Sequence, residues 1–185
     1  IAGAKHVVAQ SYSIGYQSHA SFGPSAALAD VKPDSAFVLV ATQGPYGQRN
    51  TIATLLGMRP EQVRLQFREG SGCYGKNLQD EPAQAAAIMS QIVGKPVRVQ
   101  LTRDQEHGFD FYGPATLVDI RGAIDANGKL VAYDYVSWQQ GWNSVETTAE
   151  QLGTAIPTNA FGGADLANAG SQYAIANHRV LGKSI

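Results

Sequence analysis

Gln43 and the cluster Gly70-Ser71-Gly72-Cys73-Tyr74-Gly75 are the residues of this 185-residue chain whose types and spacing best fit a binding chemistry. Gln43 lies in Thr42-Gln43-Gly44-Pro45-Tyr46-Gly47, where two glycines and no acid lead into a predicted helix, with Arg49 one turn in. Unpaired N–H groups and the helix dipole make such a start favourable for an anion. A glutamine amide adds one donor group and one acceptor. In the second cluster, glycines let main-chain N–H groups approach a flat or anionic cofactor, and Tyr74 supplies a planar wall. The same letters admit a ligand-free glycine turn. They also admit a dinucleotide fingerprint, Gly70-x-Gly72-x-x-Gly75, with Asp104 near the ribose-binding position. Against that fingerprint, Arg64, Gln66 and Arg68 interrupt the preceding strand, where a central parallel strand is apolar throughout. Asp80 and Glu81 at the next helix start would also repel a pyrophosphate.

The remaining reactive residues carry less. His6, His19, His107 and His178 share no metal-ligand spacing. Arg103-Asp104-Gln105-Glu106-His107 reads as a solvated turn after a strand, with an acid–base cluster as the alternative. There is no Gly-x-Ser-x-Gly elbow. Cys73 is the single cysteine, with no base at a set spacing; it excludes an internal disulfide framework and a Cys-rich zinc or iron–sulfur site.

Composition narrows the function classes further. Net charge is −1, so no basic field recruits nucleic acid or an anionic membrane. No apolar stretch approaches the roughly 18–20 residues of a membrane span. Charged residues are 16% of the chain, against about 25% in an ordinary soluble domain. With 20 glycines and runs such as Ala85-Ala86-Ala87, much of the surface is expected to be covered by a larger body. The missing initial methionine and signal pattern point the same way, to a fragment or a processed product.

The elements that must position the two clusters follow from periodicity. Phe37-Val38-Leu39-Val40 predicts a strand covered on both faces. A helix of about three turns follows, with Pro45 in its first turn, Ile52, Leu55 and Leu56 as its stripe, and Gly57 as its stop. Residues 63–68 alternate as a strand. A second helix is predicted over 80–93, with Asp80 as N-cap, Pro82 in the first turn, Ile88, Met89 and Ile92 inward, and Gly94 and Pro96 ending it. Residues 97–103 predict another strand, and 115–125 with 129–138 a hairpin about Ala126-Asn127-Gly128. Residues 141–172 are Gly/Ala-rich and aperiodic, and 174–185 read as a strand starting. The class is α+β: a strand–helix–strand–helix–strand unit, then an antiparallel hairpin. The expected division is 1–140 as the first part of a domain and 141–185 as an irregular connection.

In order, these motifs resemble the molybdopterin-binding subunit of the xanthine dehydrogenase/aldehyde oxidase family. The resemblance rests on Thr42-Gln43-Gly44-Pro45-Tyr46, Leu56-Gly57, Val63-Arg64, Glu69-Gly70-Ser71-Gly72-Cys73-Tyr74-Gly75, Gly94-Lys95-Pro96-Val97-Arg98, Arg103-Asp104-Gln105-Glu106 and the hairpin. It covers about residues 12–140, and the Gly-Cys-Tyr-Gly form is similar to the nicotinate and isoquinoline dehydrogenase branch. Two positions depart from the family. Its early His-Ala-x-x-Glu-Pro reads His19-Ala20-Ser21-Phe22-Gly23-Pro24, and Asn77 and Leu78 occupy the region of the xanthine enzymes' substrate-facing glutamate, which argues against xanthine.

The resemblance implies part of a molybdenum hydroxylase acting on an aldehyde or N-heteroaromatic carbon with water as oxygen source. Gln43, Gly44, Gly72, Cys73, Tyr74 and Gly75 would cradle a molybdenum–molybdopterin cofactor in its cytosine dinucleotide form. No direct metal ligand and no catalytic base is implied among these residues; the family's base glutamate is expected beyond Ile185. Implied partners are the remainder of a large subunit, an iron–sulfur subunit or domain, and a flavin or cytochrome subunit. Cytoplasmic and periplasmic locations stay open, as do a nicotinamide-dependent oxidoreductase and a non-catalytic scaffold.

Overall fold

Ala36, Val38 and Val40 are buried while Phe37 and Leu39 are half-buried, so the apolar run forms a strand with one face in the core. The computed structural model describes residues 4–75, 81–108, 110, 112–139, 148–153, 169–170 and 173–185. In chain order the strands are β1 (His6–Ile14), β2 (Ala26–Val31), β3 (Ala36–Val40), β4 (Val63–Phe67), β5 (Val97–Gln100), β6 (Thr116–Ile124), β7 (Leu130–Gln139) and β8 (Asn177–Ser184). The helices are α1 (Pro45–Leu56), α2 (Glu81–Val93), α3 (Arg103–Gly108) and α4 (Thr148–Gln151). The class is α+β. Two compact units are interleaved along the chain: Ser18–Tyr112 with Ser144–Thr158, and Ile1–Gln17 with Gly113–Asn143 and Asn159–Ile185.

The first unit holds a sheet in the order β4-β3-β2-β5. β3 and β4 are parallel, and β2 is antiparallel to both β3 and β5. Helices α1 and α2 contribute Ile52, Ala53, Leu56, Ala83, Ala86 and Ala87 to the core shared with the sheet. Pro45 opens α1, where a missing N–H costs nothing. Gly57 closes it at φ +69°, and Met58 N–H donates to Ala53 O at 2.8 Å, the left-handed cap that glycine permits.

The face of α2 corrects the expectation. Pro82, Ala83, Gln84, Ala86, Ala87 and Ser90 are buried, whereas Met89 and Ile92 are exposed and Ile88 is only partly covered. Short side chains let the helix axis lie close to the sheet, and that close approach outweighs the volume of the larger residues. Ser90 makes this seam polar and satisfied: its hydroxyl donates to Lys95 O at 2.7 Å and accepts from Val31 N–H at 2.9 Å.

A second correction concerns residues 97–107. The strand ends at Gln100, and Arg103–Gly108 is helix α3, started by a reciprocal cap in which Gln105 N–H donates to Thr102 Oγ1 and Thr102 N–H to Gln105 Oε1. Glu106 is not in a solvated turn; it is buried at 1% exposure. Of the aperiodic stretch 141–172, the described part includes α4, whose Thr148 N–H and hydroxyl donate to the Glu81 carboxylate. Ala149 N–H donates to Gln84 Oε1 at 2.9 Å. The predicted N-cap Asp80 lies outside the described residues. Among them, no helix is long and apolar enough to cross a membrane.

The second unit is a sheet in the order β1-β6-β7-β8, antiparallel except for the β7–β8 pair. The hairpin forms as the Asn-Gly signal predicts, with Gly128 at φ +81°. Asp125 Oδ1 accepts from Asn127 and Lys129 N–H, and the ladder slips between Ala123 and Ile124. Across three strands, Arg121, Asp134 and Arg179 stand opposite one another. Arg179 Nε and Nη2 donate to Asp134 at 2.6 and 2.9 Å, and Arg121 Nε donates at 3.0 Å.

These hydrogen bonds, Arg179's first and then Arg121's, lower the Asp134 carboxyl from 3.8 to about 2. A depressed carboxylate stabilises the fold above its unfolded value and loses that contribution as pH falls through the folded value. Unfolding midpoints are therefore expected to drop between about pH 4 and pH 2 by an amount that Asp134→Asn abolishes. A pH-independent difference between the two proteins over that window would contradict this.

Candidate cofactor-binding site

Because β3 and β4 are parallel and in register to Val40 and Phe67, their C-terminal ends finish side by side. The segment after β3, Ala41-Thr42-Gln43, therefore lies next to the segment after β4, Arg68-Glu69-Gly70. Strand ends of this kind are where sheets flanked by helices place ligands. Arg68 N–H donates to Val40 O at 2.9 Å, extending the pairing one step beyond the ladder. A Cβ on Gly70 would fall 2.8 Å from the Cβ of Ala41, so only glycine permits this approach.

The two segments enclose a recess of about 410 Å³ lined by Ala41, Thr42, Gln43, Phe67, Glu69, Gly70, Gly72 and Cys73. That volume is within the range of small-molecule sites. Thr42 is buried, and its Oγ1 accepts from Gly44 N–H at 3.2 Å, which sets the turn into α1. Gly44 is the residue before Pro45 and caps α1, whose first turn carries no acid. Gln43 is exposed and is one of the lining residues. Glu69 brings the carboxylate among these lining residues.

The structure thus brings Gln43 together with Gly72 and Cys73, with Gly44 adjoining. Tyr74 and Gly75 are arranged differently. The Tyr74 backbone is left-handed at φ +54°, and its ring lies against Gly72, where a Cβ would meet it at 2.8 Å. Tyr74 is 67% exposed. Gly75, at φ +110°, lies against the His19 ring. Gly23, where the resembling motif carries an acid, lies against Ser71. Residues 77 and 78 lie outside the described residues.

Sequence reasoning missed Thr42, Phe67 and Glu69 as lining. Their signal was their position at the C-terminal ends of two strands that pair in parallel: Phe67 is the last residue of β4, and Thr42 and Glu69 lie just beyond β3 and β4. The dinucleotide alternative fails on topology: β4 is an edge strand in a mixed sheet, and the helix after the loop begins at Glu81. Among the described residues, no cluster of His, Cys, Asp and Glu could hold a metal ion directly.

A model of the molybdopterin cofactor-binding domain matches residues 1–185. The chain belongs to the molybdopterin cofactor-binding domain family. It is 42% identical over 135 residues to a nicotinate dehydrogenase subunit of Pseudomonas putida, covering 73% of this chain and 11% of that one. It is 30% identical over 128 residues to the aldehyde oxidoreductase molybdenum-binding subunit PaoC of Escherichia coli, covering 69% of this chain and 18% of that one. The chain thus spans less than a fifth of either relative.

Among solved structures, an aldehyde oxidoreductase from Desulfovibrio desulfuricans superposes with a TM-score of 0.77 at 18% identity, over 97% of this chain and 19% of that one. Quinoline 2-oxidoreductase from Pseudomonas putida superposes at 0.69 and 20% identity, over 76% of this chain and 18% of that one. These likenesses establish the fold of a molybdopterin-binding domain. They agree with the family indicated by the glutamine and glycine motifs.

The recess fits such a cofactor. Its walls are backbone at Gly70 and Gly72, small side chains at Ala41, Thr42 and Cys73, one aromatic, Phe67, and the polar residues Gln43 and Glu69, the latter its one carboxylate. A flat heterocycle with donors and acceptors along its edge suits walls of that kind, Gln43 among them.

Proposed function

We propose that this chain forms part of the cradle for a molybdenum–molybdopterin cofactor in a hydroxylase of aldehydes or N-heteroaromatic carbons. The observation that supports it is the single recess shared by Gln43 and the glycine loop. Gln43, Gly44, Gly72, Cys73, Tyr74 and Gly75 are its proposed contacts. The bound group would supply two-electron redox chemistry, with water as the source of oxygen. The chain's own residues bind and orient: Gln43 offers a donor and an acceptor, Gly70 and Gly72 let backbone approach, and Thr42 holds the Gly44 turn. Phe67 gives one wall an apolar, aromatic face.

The finer reading is the cytosine dinucleotide form of the cofactor, with electrons leaving to iron–sulfur clusters on a partner subunit or domain. A flavin or cytochrome subunit would follow, and the remainder of a large subunit would supply the base glutamate. The 42% identity to a nicotinate dehydrogenase subunit favours an N-heteroaromatic acid as substrate.

Elemental analysis of the full-length protein tests this. Stoichiometric molybdenum with pterin fluorescence is expected, and Gln43→Ala should lower the cofactor content or turnover while leaving the unfolding midpoint unchanged. A folded protein with neither molybdenum nor pterin would overturn the reading.

A further inference from the structure

The glycine loop, residues 70–75, is gripped at both ends by one short segment, residues 18–25. At the first end, Ser71 Oγ donates to Gly23 O at 2.9 Å and Gly23 N–H donates back to Ser71 Oγ at 2.8 Å. Any Cβ on Gly23 would fall 2.5 Å from that oxygen and 3.0 Å from the Ser71 Cβ. At the other end, the His19 ring fills the space a Cβ on Gly75 would need, with Nε2 2.8 Å from that position. Cys73 lies between the two grips and lines the recess beside Gln43.

The gripping segment is itself held from behind by ionisable groups, two of them buried carboxylates. Asp110 is fully buried. Its Oδ2 accepts from Ser18 Oγ at 2.7 Å and from His19 N–H at 3.2 Å, and its Oδ1 lies 3.4 Å from His19 Nδ1. Ser18 Oγ lies 3.2 Å from His107 Nδ1. Glu106 accepts from Ser25 N–H at 2.7 Å, and Arg103 Nη2 donates to the carbonyls of Ser21 and Phe22 at 2.5 and 3.0 Å. Between these anchors Ala20 is held at φ +44°, a conformation that alanine adopts only under constraint. A carboxylate buried this deeply is tolerated only when its oxygens are satisfied. Here the segment that satisfies them is the one whose outer edge meets the loop.

We propose that residues 18–25 are a clamp that sets the shape of the glycine loop, and that Asp110, through His19 and Ser18, is a positioning residue for the cofactor site. The clamp is a statement about the loop; its consequence for molybdenum rests on the function proposed above.

The test uses the full-length protein prepared with and without cofactor, and reads two things: the rate at which N-ethylmaleimide alkylates Cys73, measured on its peptide by mass spectrometry, and the molybdenum content. In cofactor-free protein, Asp110→Ala and Gly23→Ala are each expected to raise the Cys73 rate about tenfold by freeing the loop. Asp110→Asn keeps an acceptor for Ser18 and His19 and is expected to restore the wild-type rate, which a residue needed only for its charge would not do. Molybdenum content should fall in the two alanine variants and recover in Asp110→Asn. If Asp110→Ala fails to fold, Gly23→Ala decides, because it leaves the buried carboxylates untouched. Wild-type Cys73 rates in folded Gly23→Ala overturn the clamp even if the wild-type protein carries molybdenum. Conversely, wild-type protein without molybdenum defeats the cofactor reading and leaves the Cys73 comparison to judge the clamp.

Discussion

Gly72→Val is expected to empty the full-length protein of molybdenum while leaving it folded. Gly72 sits at φ +110°, where a side chain is strained whatever the space available. There is also no space: a Cβ would lie 2.8 to 3.0 Å from Tyr74 ring atoms. A valine adds two methyls to that clashing Cβ, and the left-handed backbone alone costs about 1–2 kcal/mol. The loop is exposed apart from the half-buried Gly72 and Cys73 and carries no part of the apolar core, so relief comes from its moving, not from global unfolding. Since Gly72 and Cys73 line the recess with Gln43, a moved loop changes its wall. Elemental analysis and an unfolding scan on the same preparation read both halves. Wild-type molybdenum in a folded Gly72→Val protein would mean the loop does not shape the cradle.

The second large effect is on stability. Ala86 is wholly buried where α2 meets the sheet, and Ala86→Leu inserts three carbons into a seam made close by small residues. Overpacking of this kind is expected to cost about 3 kcal/mol. For a chain of this size that lowers the thermal midpoint by roughly 6–12 °C. Met89→Gln, on the outer side of the same helix, should stay within about 0.5 kcal/mol of wild type. Circular dichroism melts of both variants check the pair. The reverse order of effects would mean that the buried side of α2 is assigned wrongly.

The sequence is most readable where large residues alternate and where glycine or proline marks an end. β3, α1, β4, the start of β5 and the β6–β7 hairpin can all be found that way. β2 cannot: Ala-Ala-Leu-Ala-Asp-Val has little strand signature, and its central place comes from neighbours on both sides. β1 escapes because its residues are exposed along its whole length, so no buried face imposes a period. The inward side of α2 is misjudged by ranking side chains by size, whereas the seam selects for closeness.

At the site, Gln43 and the glycine loop are legible as motifs, and parallel pairing of β3 with β4 explains why they meet. Asp110 and Glu106 are not legible. Their partners are 91 and 81 residues away in sequence, and a buried carboxylate looks like a solvated one until its donors are placed.

The interleaving of the two units has a consequence for synthesis. Of these elements β1 emerges first, yet its partner β6 follows only after the entire Ser18–Tyr112 stretch, with His6 finally opposite Ile124. During that interval β1 is a strand without a sheet, while the β4-β3-β2-β5 layer has nearly all of its pieces by Gln100. Domains tend to fold as units in the order they leave the ribosome, so that layer would assemble inside a loop whose flanking strands are not yet paired. Closing that loop later costs little extra entropy, because the cost grows only logarithmically with length and the folded insert brings its ends together. The vulnerable species is therefore a nascent chain with its layer formed and β1 waiting, its unpaired N–H and C=O groups open to another chain.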